Sequence, residues 1–285
     1  MNTNLHAHME QTLVRLRESV RATAPILVDF LRDEVEKTGF HDVVFGLSGG
    51  IDSALVAYLA VEAFGAERVH PVIMPYRLSS AASLRDAQAI TSDLGLKADL
   101  VEITPQIDAY FSRDPSASLL RRGNKMARER MSILFDHAAV YRALVLGTSN
   151  KTELLLGYGT QFGDLGSAVN ALGDLYKSQV RALAEQLGVP AAILHKAPSA
   201  DLWEEQTDEK ELGFTYDEAD VLLHHWVDRW LTRAEIEALG FAPELVEGVM
   251  RRVRLNHYKR VPPVIAKLSS RTIGIDFLYP RDWGM

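Results

Sequence analysis

Asp42-Val43-Val44-Phe45-Gly46-Leu47-Ser48-Gly49-Gly50-Ile51-Asp52-Ser53 is the stretch on which the reading of the whole chain turns. Its first six residues are short, apolar and β-branched, the signature of a buried strand. A Ser/Gly turn follows, and Ala54 to Phe64 continues as a helix. In an open α/β sheet, ligands bind beyond the carboxyl ends of the strands, which is where this turn falls. Glycines allow close backbone approach, and free N–H groups at a helix N-terminus attract phosphate oxygens. The hydroxyls of Ser48 and Ser53 add donors. Asp52 is the odd member, because a carboxylate beside a polyphosphate is repulsive unless a cation lies between them, and Mg²⁺ binds in that way. The plainer reading is a glycine turn with a helix cap; the full string, with a strand before it and a helix after it, argues against that. The chain has no Gly-x-x-x-x-Gly-Lys-Ser/Thr loop, and Gly157 to Gly163 lacks both the spacing and the preceding strand of a dinucleotide fingerprint.

On the N-terminal side, Leu13, Leu16, Val20, Leu27, Leu31 and Val35 keep helical spacing. Glu10 to Lys37 therefore reads as one amphipathic helix, bent at Pro25 and stopped by Gly39. On the other side, Val69 to Met74, Leu100 to Ile103 and Ala143 to Gly147 read as further strands, with helices from about Ser83 to Leu94 and from Asn124 to Tyr141. Strands alternating with helices imply a doubly wound parallel sheet of the α/β class. From Ser178 onward the pattern is helical, punctuated by Gly188, Pro190, Gly213 and Gly240. With no repeat, low-complexity stretch or flexible linker, residues 1–285 are expected to form one domain with a helical C-terminal part.

The bulk properties narrow the function classes. The 285 residues are 47% hydrophobic and 24% charged, ordinary for a globular protein with a sizeable core. There is no cysteine, which excludes disulfides, Cys-based metal sites and thiol nucleophiles from this chain. A formal net charge of −7 argues against general nucleic-acid binding, which depends on neutralising phosphates. No unbroken apolar run approaches the ~18 residues needed to span a membrane, and the first residues lack a signal-peptide pattern. A cytoplasmic location and no membrane association are expected.

The Ser48 to Ser53 string resembles the pyrophosphate loop of the ATP pyrophosphatase superfamily, whose members cleave ATP to AMP and pyrophosphate while adenylating a substrate oxygen. A second set of blocks narrows the resemblance. These are Gly147-Thr148-Ser149-Asn150-Lys151-Thr152-Glu153, running on to Gly163-Asp164; Gly173-Asp174-Leu175-Tyr176-Lys177-Ser178-Gln179-Val180; Pro198-Ser199-Ala200-Asp201-Leu202-Trp203; Gln206-Thr207-Asp208-Glu209; and Glu211-Leu212-Gly213-Phe214. In order and spacing they are similar to the ammonia-dependent NAD synthetases over about residues 40 to 265, which implies an adenine nucleotide alpha hydrolase-like fold.

The resemblance implies a set of site residues. Gly46, Leu47, Ser48, Gly49, Gly50, Ile51, Asp52 and Ser53 would hold ATP, together with Thr148, Lys177 and Ser199. Asp52 and Glu153 would bind Mg²⁺, a pairing that suits a hard cation shared with phosphates. Lys177 would stabilise charge on the departing pyrophosphate. Asn124 and Arg128, in the basic run Arg121 to Met131, match contacts to deamido-NAD, as do Gln161, Tyr258 and Lys259. Three positions depart from the family pattern: Gln161 where Lys is common, Ala168 where Asp is common, and Tyr258 where His is common.

The implied reaction has two steps: the nicotinate carboxylate attacks the α-phosphorus of ATP, and ammonia then displaces AMP. Asp164 is a candidate base for the incoming ammonia, with a structural aspartate as the alternative. Free ammonia is the expected donor, because no cysteine is present for a glutaminase. The His224-His225 pair shows no metal-ligand spacing. Rival readings are another ATP pyrophosphatase, and a nucleotide-binding relative without chemistry. Members of the family are homodimers, so a homodimer is expected.

Overall fold

The structure is a computed structural model that describes residues 3–199 and 207–277. Four parallel strands form its sheet: β1 (Asp42–Gly46), β2 (Val69–Ile73), β3 (Asp99–Leu100) and β4 (Ala143–Val145), in the order β3-β2-β1-β4. β1 and β2, rich in β-branched residues, lie in the middle. Helices in chain order are α1 (Thr3–Ser19), α2 (Thr23–Glu36), α3 (Ile51–Phe64), α4 (Ala81–Asp93), α5 (Thr104–Phe111), α6 (Leu119–Tyr141), α7 (Lys151–Leu156), α8 (Lys177–Gln186), α9 (Ala191–Leu194), α10 (Asp208–Leu212), α11 (Tyr216–Leu223), α12 (Arg233–Ala238) and α13 (Pro243–Leu255). A π-helical turn, His224–Asp228, prolongs α11.

Alternation along β1 sends its side chains to both faces of the sheet. Val43 and Phe45 enter a core shared with α2, α3 and α8, whereas Val44 faces α5 and α6 through Val72, Ile103, Ile107 and Met126. A third core joins α1 to α11, α12 and α13 around Leu13, Leu156, Tyr216, Leu222 and Val249. This is the helical C-terminal part.

Three sequence expectations change. The expected single helix over 10–37 is two helices broken at Val20 to Ala22, because α1 packs in the C-terminal core and α2 against the sheet. Pro25 sits in the first turn of α2, where a missing N–H costs no intrahelical bond, so it marks a start and not a bend. The third strand is shorter than the expected 100–103, although Val101 and Ile103 still donate to Ile73 and Pro75 at 2.9 and 3.0 Å. The helix expected from Asn124 begins at Leu119, capped by the Ser118 hydroxyl.

Candidate active site

The loop after β1 stands at the carboxyl edge of the sheet. Leu47 N–H donates to Val72 C=O at 2.9 Å, so the ladder runs one residue past β1 and Ser48 is the first residue clear of it. Gly49 has φ +77°, and a Cβ there would lie 2.2 Å from the Ser83 carbonyl oxygen at the start of α4. No larger residue fits without displacing backbone. The hydroxyls of Ser48 and Ser53 lie 3.1 Å apart; Gly50 N–H donates to Ser48 Oγ, and Ser53 Oγ donates to Gly50 C=O. Both hydroxyls thus shape the loop itself. Gly50 caps α3 without a side-chain bond, leaving the first-turn N–H groups of a 14-residue helix for an anion. The side chains of Leu47 and Ile51 are buried in the sheet core, so these two positions offer only backbone.

Asp52, in the first turn of α3, faces α7 and α8. Its Oδ1 accepts from Asn150 Nδ2 at 2.9 Å, and its Oδ2 pairs with Lys177 Nζ. Glu153 lies on the other side of that ammonium, with Oε1 3.3 Å from Lys177 Nζ. Its place is fixed by an Asn150–Glu153 capping box at the start of α7: Glu153 N–H donates to Asn150 Oδ1, and Asn150 N–H donates to Glu153 Oε2. Lys177 begins α8 and is 2% exposed. Burial alone would depress its pKa, but Asp52 and Glu153 hold it charged and above the ordinary lysine range. Burial pushes Glu153 up to about 8; Lys177 opposes that shift and Asp52 adds to it.

Two carboxylates thus share one buried ammonium. Their oxygen donors, one from the first turn of α3 and one from the first turn of α7, suit a hard divalent cation that completes its shell with phosphate and water, and such a cation would draw Glu153 into its charged form. Among the described residues no cluster of three or more His, Cys, Asp or Glu has metal-binding geometry, so a purely protein-held metal is not the pattern.

Further groups back this cluster. The Tyr216 ring lies 5.1 Å from Lys177 Nζ, and its hydroxyl donates to Asp208 Oδ2 at 3.0 Å. Tyr158 donates from the other side, 3.0 Å from Asp208 Oδ1. Asp208 N–H donates to Pro198 C=O at 3.1 Å, which sets Ser199 near the base of α10. Ala200, the Asp201-Leu202-Trp203 triplet and Gln206 lie outside the described residues. Thr148 is half-buried in the loop beyond β4, and Ser199 is exposed.

The residues expected to meet the second substrate assemble around one loop, 157–164. Thr160 Oγ1 donates to Asn124 Oδ1 at 2.8 Å, and Arg128 Nε donates to Gln161 C=O at 3.2 Å. Gln161 Nε2 donates to Tyr258 C=O at 3.4 Å. Lys259 Nζ donates to the carbonyls of Gly157 and Gly159 at 2.7 and 2.8 Å. Asp164 accepts Thr160 N–H at 2.9 Å and feels the Lys259 charge. Ala168 packs against the sheet core.

The structure adds to the expected roles. Lys177 bridges the two acidic residues expected to hold a cation. Glu153 pairs with it in the interior and not on the surface. The basic run 121–131 is only partly a solvated face, since Arg122 donates to the carbonyls of Ala117 and Pro115, Arg130 donates to that of Met74, and Arg128 stays exposed.

Sequence reasoning missed Asn150, Asp208, Tyr216 and Asp220 as parts of this assembly. The Asn-x-x-Glu spacing of a capping box was a legible signal for Asn150. The other three are brought in by tertiary packing alone.

Comparison with known proteins identifies the family. Residues 24–263 match the NAD synthase family. The chain is 55% identical over 270 residues to an NH(3)-dependent NAD(+) synthetase of Trichlorobacter lovleyi, covering 95% of this chain and 99% of that protein. Among solved structures, an NH3-dependent NAD synthetase from Campylobacter jejuni superposes with a TM-score of 0.73 at 35% identity, and an NMN synthetase from Francisella tularensis with 0.76 at 33%. Each superposition covers 86% of this chain and 97% of the other. With a phosphate loop, two carboxylates and a buried lysine meeting at the carboxyl edge of a parallel sheet, and with relatives matching over nearly their full length, the chain belongs to the NAD synthase family.

Proposed function

We propose that this chain is an ATP-dependent ligase that amidates deamido-NAD to NAD with ammonia, by way of an adenylated intermediate, releasing AMP and pyrophosphate. The observation that carries the reading is the meeting of Asp52, Glu153 and Lys177 at the carboxyl edge of the sheet, in a chain 55% identical to an NH(3)-dependent NAD(+) synthetase.

ATP is held by Gly46 to Ser53, chiefly through backbone N–H groups, with Thr148, Lys177 and Ser199 around it. Asp52 and Glu153 hold Mg²⁺, which supplies charge neutralisation for the polyphosphate when bound. Lys177, kept charged by its two acidic neighbours, offsets the negative charge that builds on the leaving pyrophosphate. The 157–164 loop, with Asn124, Arg128, Gln161, Tyr258 and Lys259, binds deamido-NAD. A carboxylate is a poor electrophile; exchanging one of its oxygens for an AMP leaving group lets ammonia add. We assign Asp164, on the same loop, to take the proton ammonia loses; its carboxylate also accepts Thr160 N–H. Asp164→Asn keeps an acceptor for Thr160 N–H, so a loss of amide formation without loss of folding separates the base from a structural aspartate.

The enzyme works in the cytoplasm as a homodimer. No described helix is long and apolar enough to cross a membrane, and α6 exposes Leu119, Leu120, Phe135 and Val140. Sedimentation of the purified chain at twice the 31.7 kDa monomer mass tests the dimer.

The test of function incubates the chain with ATP, Mg²⁺ and ammonium, and offers deamido-NAD, nicotinate mononucleotide or a tRNA pool. Formation of NAD, AMP and pyrophosphate from deamido-NAD is the expected result. Preference for nicotinate mononucleotide would align the chain with the Francisella tularensis protein instead. Adenylation of tRNA would overturn the reading.

A further inference from the structure

Asp220 is fully buried in the middle of α11, on the side that faces α7 and α8. Its Oδ1 accepts from the Thr152 hydroxyl at 2.6 Å, and its Oδ2 accepts Ser178 N–H at 2.7 Å. The Thr152 oxygen in turn accepts Lys177 N–H at 3.1 Å. One carboxylate and one hydroxyl therefore serve two consecutive N–H groups of the first turn of α8, groups that no intrahelical carbonyl can reach. Thr152 immediately precedes Glu153, and Ser178 immediately follows Lys177. The two side chains that meet at 3.3 Å are thus each one peptide bond from an atom that Asp220 holds.

Tyr216 lies four residues before Asp220 on the same helix, so both leave one face of α11. It touches the same lysine from the other end, with its ring 5.1 Å from Nζ. One face of α11 thus fixes Lys177 at its backbone and at its ammonium. Burying a carboxylate is costly, and an apolar residue would fill this position at lower cost if packing were all it did.

We infer that Asp220 is a positioning residue for the adenylation step: by holding Thr152 and Ser178 it sets Glu153 against Lys177, and α11 is the element that keeps those two groups in register. The inference rests on the function proposed above. It adds to the site a residue that contacts no substrate and acts only through its neighbours.

The experiment compares the full-length wild type with Asp220→Asn, Thr152→Val and the conservative Thr152→Ser, each checked for folding by its thermal midpoint. Steady-state kinetics give kcat and the KM values for ATP and deamido-NAD. Calorimetry measures Mg²⁺-ATP binding without turnover, and hydrogen exchange reads the amides of Lys177 and Ser178. Misplacing a charged group by about 1 Å costs on the order of a hundredfold, so Asp220→Asn and Thr152→Val should lower kcat by roughly ten- to a hundredfold. Mg²⁺-ATP binding should weaken in both, and KM for deamido-NAD should stay within about threefold, because Asn124 and Arg128 lie on α6, away from α7, α8 and α11. The Ser178 amide should lose protection in Asp220→Asn. Thr152→Ser, which retains the hydroxyl, should restore kcat. A lower thermal midpoint with unchanged kcat, or equal changes in kcat and both KM values, would overturn the inference and leave Asp220 a structural residue. If wild type makes no NAD, the functional reading fails on its own, and amide exchange still decides the brace: unchanged protection at Ser178 in Asp220→Asn refutes it.

Discussion

At the scale of single residues, Gly49 and Asp52 carry different burdens within one loop. Gly49 is fixed by backbone: with φ +77° and the Ser83 carbonyl 2.2 Å from where a Cβ would stand, Gly49→Ala must move α4 or distort the loop. Strain of this kind costs on the order of 1–3 kcal/mol. The variant should melt earlier and lose Mg²⁺-ATP binding by calorimetry; a wild-type thermal midpoint with intact binding would show that the loop yields freely. Asp52 is fixed by charge. Asp52→Asn leaves Lys177 with Glu153 alone and offers a poorer ligand to a hard cation, so kcat should collapse. Arg128 is exposed, with Nε on the Gln161 carbonyl, so Arg128→Ala should chiefly raise KM for deamido-NAD. A charge-assisted bond is worth roughly 1.5–3 kcal/mol, about ten- to a hundredfold. If KM is unchanged, the basic run is a solvated helix face. The contrast also marks what the sequence could tell. Asp52 stood out because a carboxylate in a loop of this kind is an electrostatic oddity, whereas Glu153 entered only through the family resemblance of its block. Asp208 lay in another such block without a role, Asp220 sits in a helical stretch of ordinary polarity, and the folded packing brings both beside α8.

At the scale of elements, β1 with α3 was legible because both its period and its turn chemistry are local. The break between α1 and α2 was not, because helical spacing runs through Val20 while the two halves serve different cores. What holds α1 to the C-terminal part includes a histidine contact that no local pattern reveals. His8 Nε2 lies 2.9 Å from His225 Nε2, with the rings stacked 5.0 Å apart. An N–H···N bond needs one bare nitrogen, so both rings cannot be cationic there. Burial, with the charges of His8, His224 and Arg229, lowers His225 from 6.5 to about 4. The sign follows from proton binding. Between pH 6.5 and 4 the unfolded chain takes up a proton that the folded chain refuses, so stability from this group is complete above 6.5 and is lost as pH falls toward 4. Each unit corresponds to about 1.4 kcal/mol, and partial exposure of the pair trims the total to on the order of 2 kcal/mol. Urea unfolding at pH 4.5 and 7.5 should show a smaller difference for His225→Phe than for wild type; equal differences would mean that the α1 contact does not sense pH.

At the scale of the whole molecule, the groups assigned to ATP and those assigned to deamido-NAD come from different elements, linked through α7. Asn150 and Glu153 open that helix beside Asp52, while the chain leaving it forms the 157–164 loop held by Lys259. In the proposed reaction, the substrate carboxylate meets the α-phosphorus of ATP beside these groups. That meeting makes a claim about atoms that isotopes can follow. If the nicotinate carboxylate attacks the α-phosphorus, one of its oxygens leaves with AMP when ammonia adds. Deamido-NAD labelled with ¹⁸O in that carboxylate should therefore yield AMP carrying one ¹⁸O, and unlabelled pyrophosphate. Attack at the γ-phosphorus would instead produce ADP and put the label in inorganic phosphate. The nitrogen is equally traceable. The 285 residues contain no cysteine to release ammonia from glutamine, so ¹⁵N-ammonium should label the NAD amide, whereas amide-¹⁵N-glutamine, free of contaminating glutaminase, should not. Label in inorganic phosphate would reject the adenylation chemistry. Transfer from glutamine would reject ammonia as the donor while leaving the adenylation half intact.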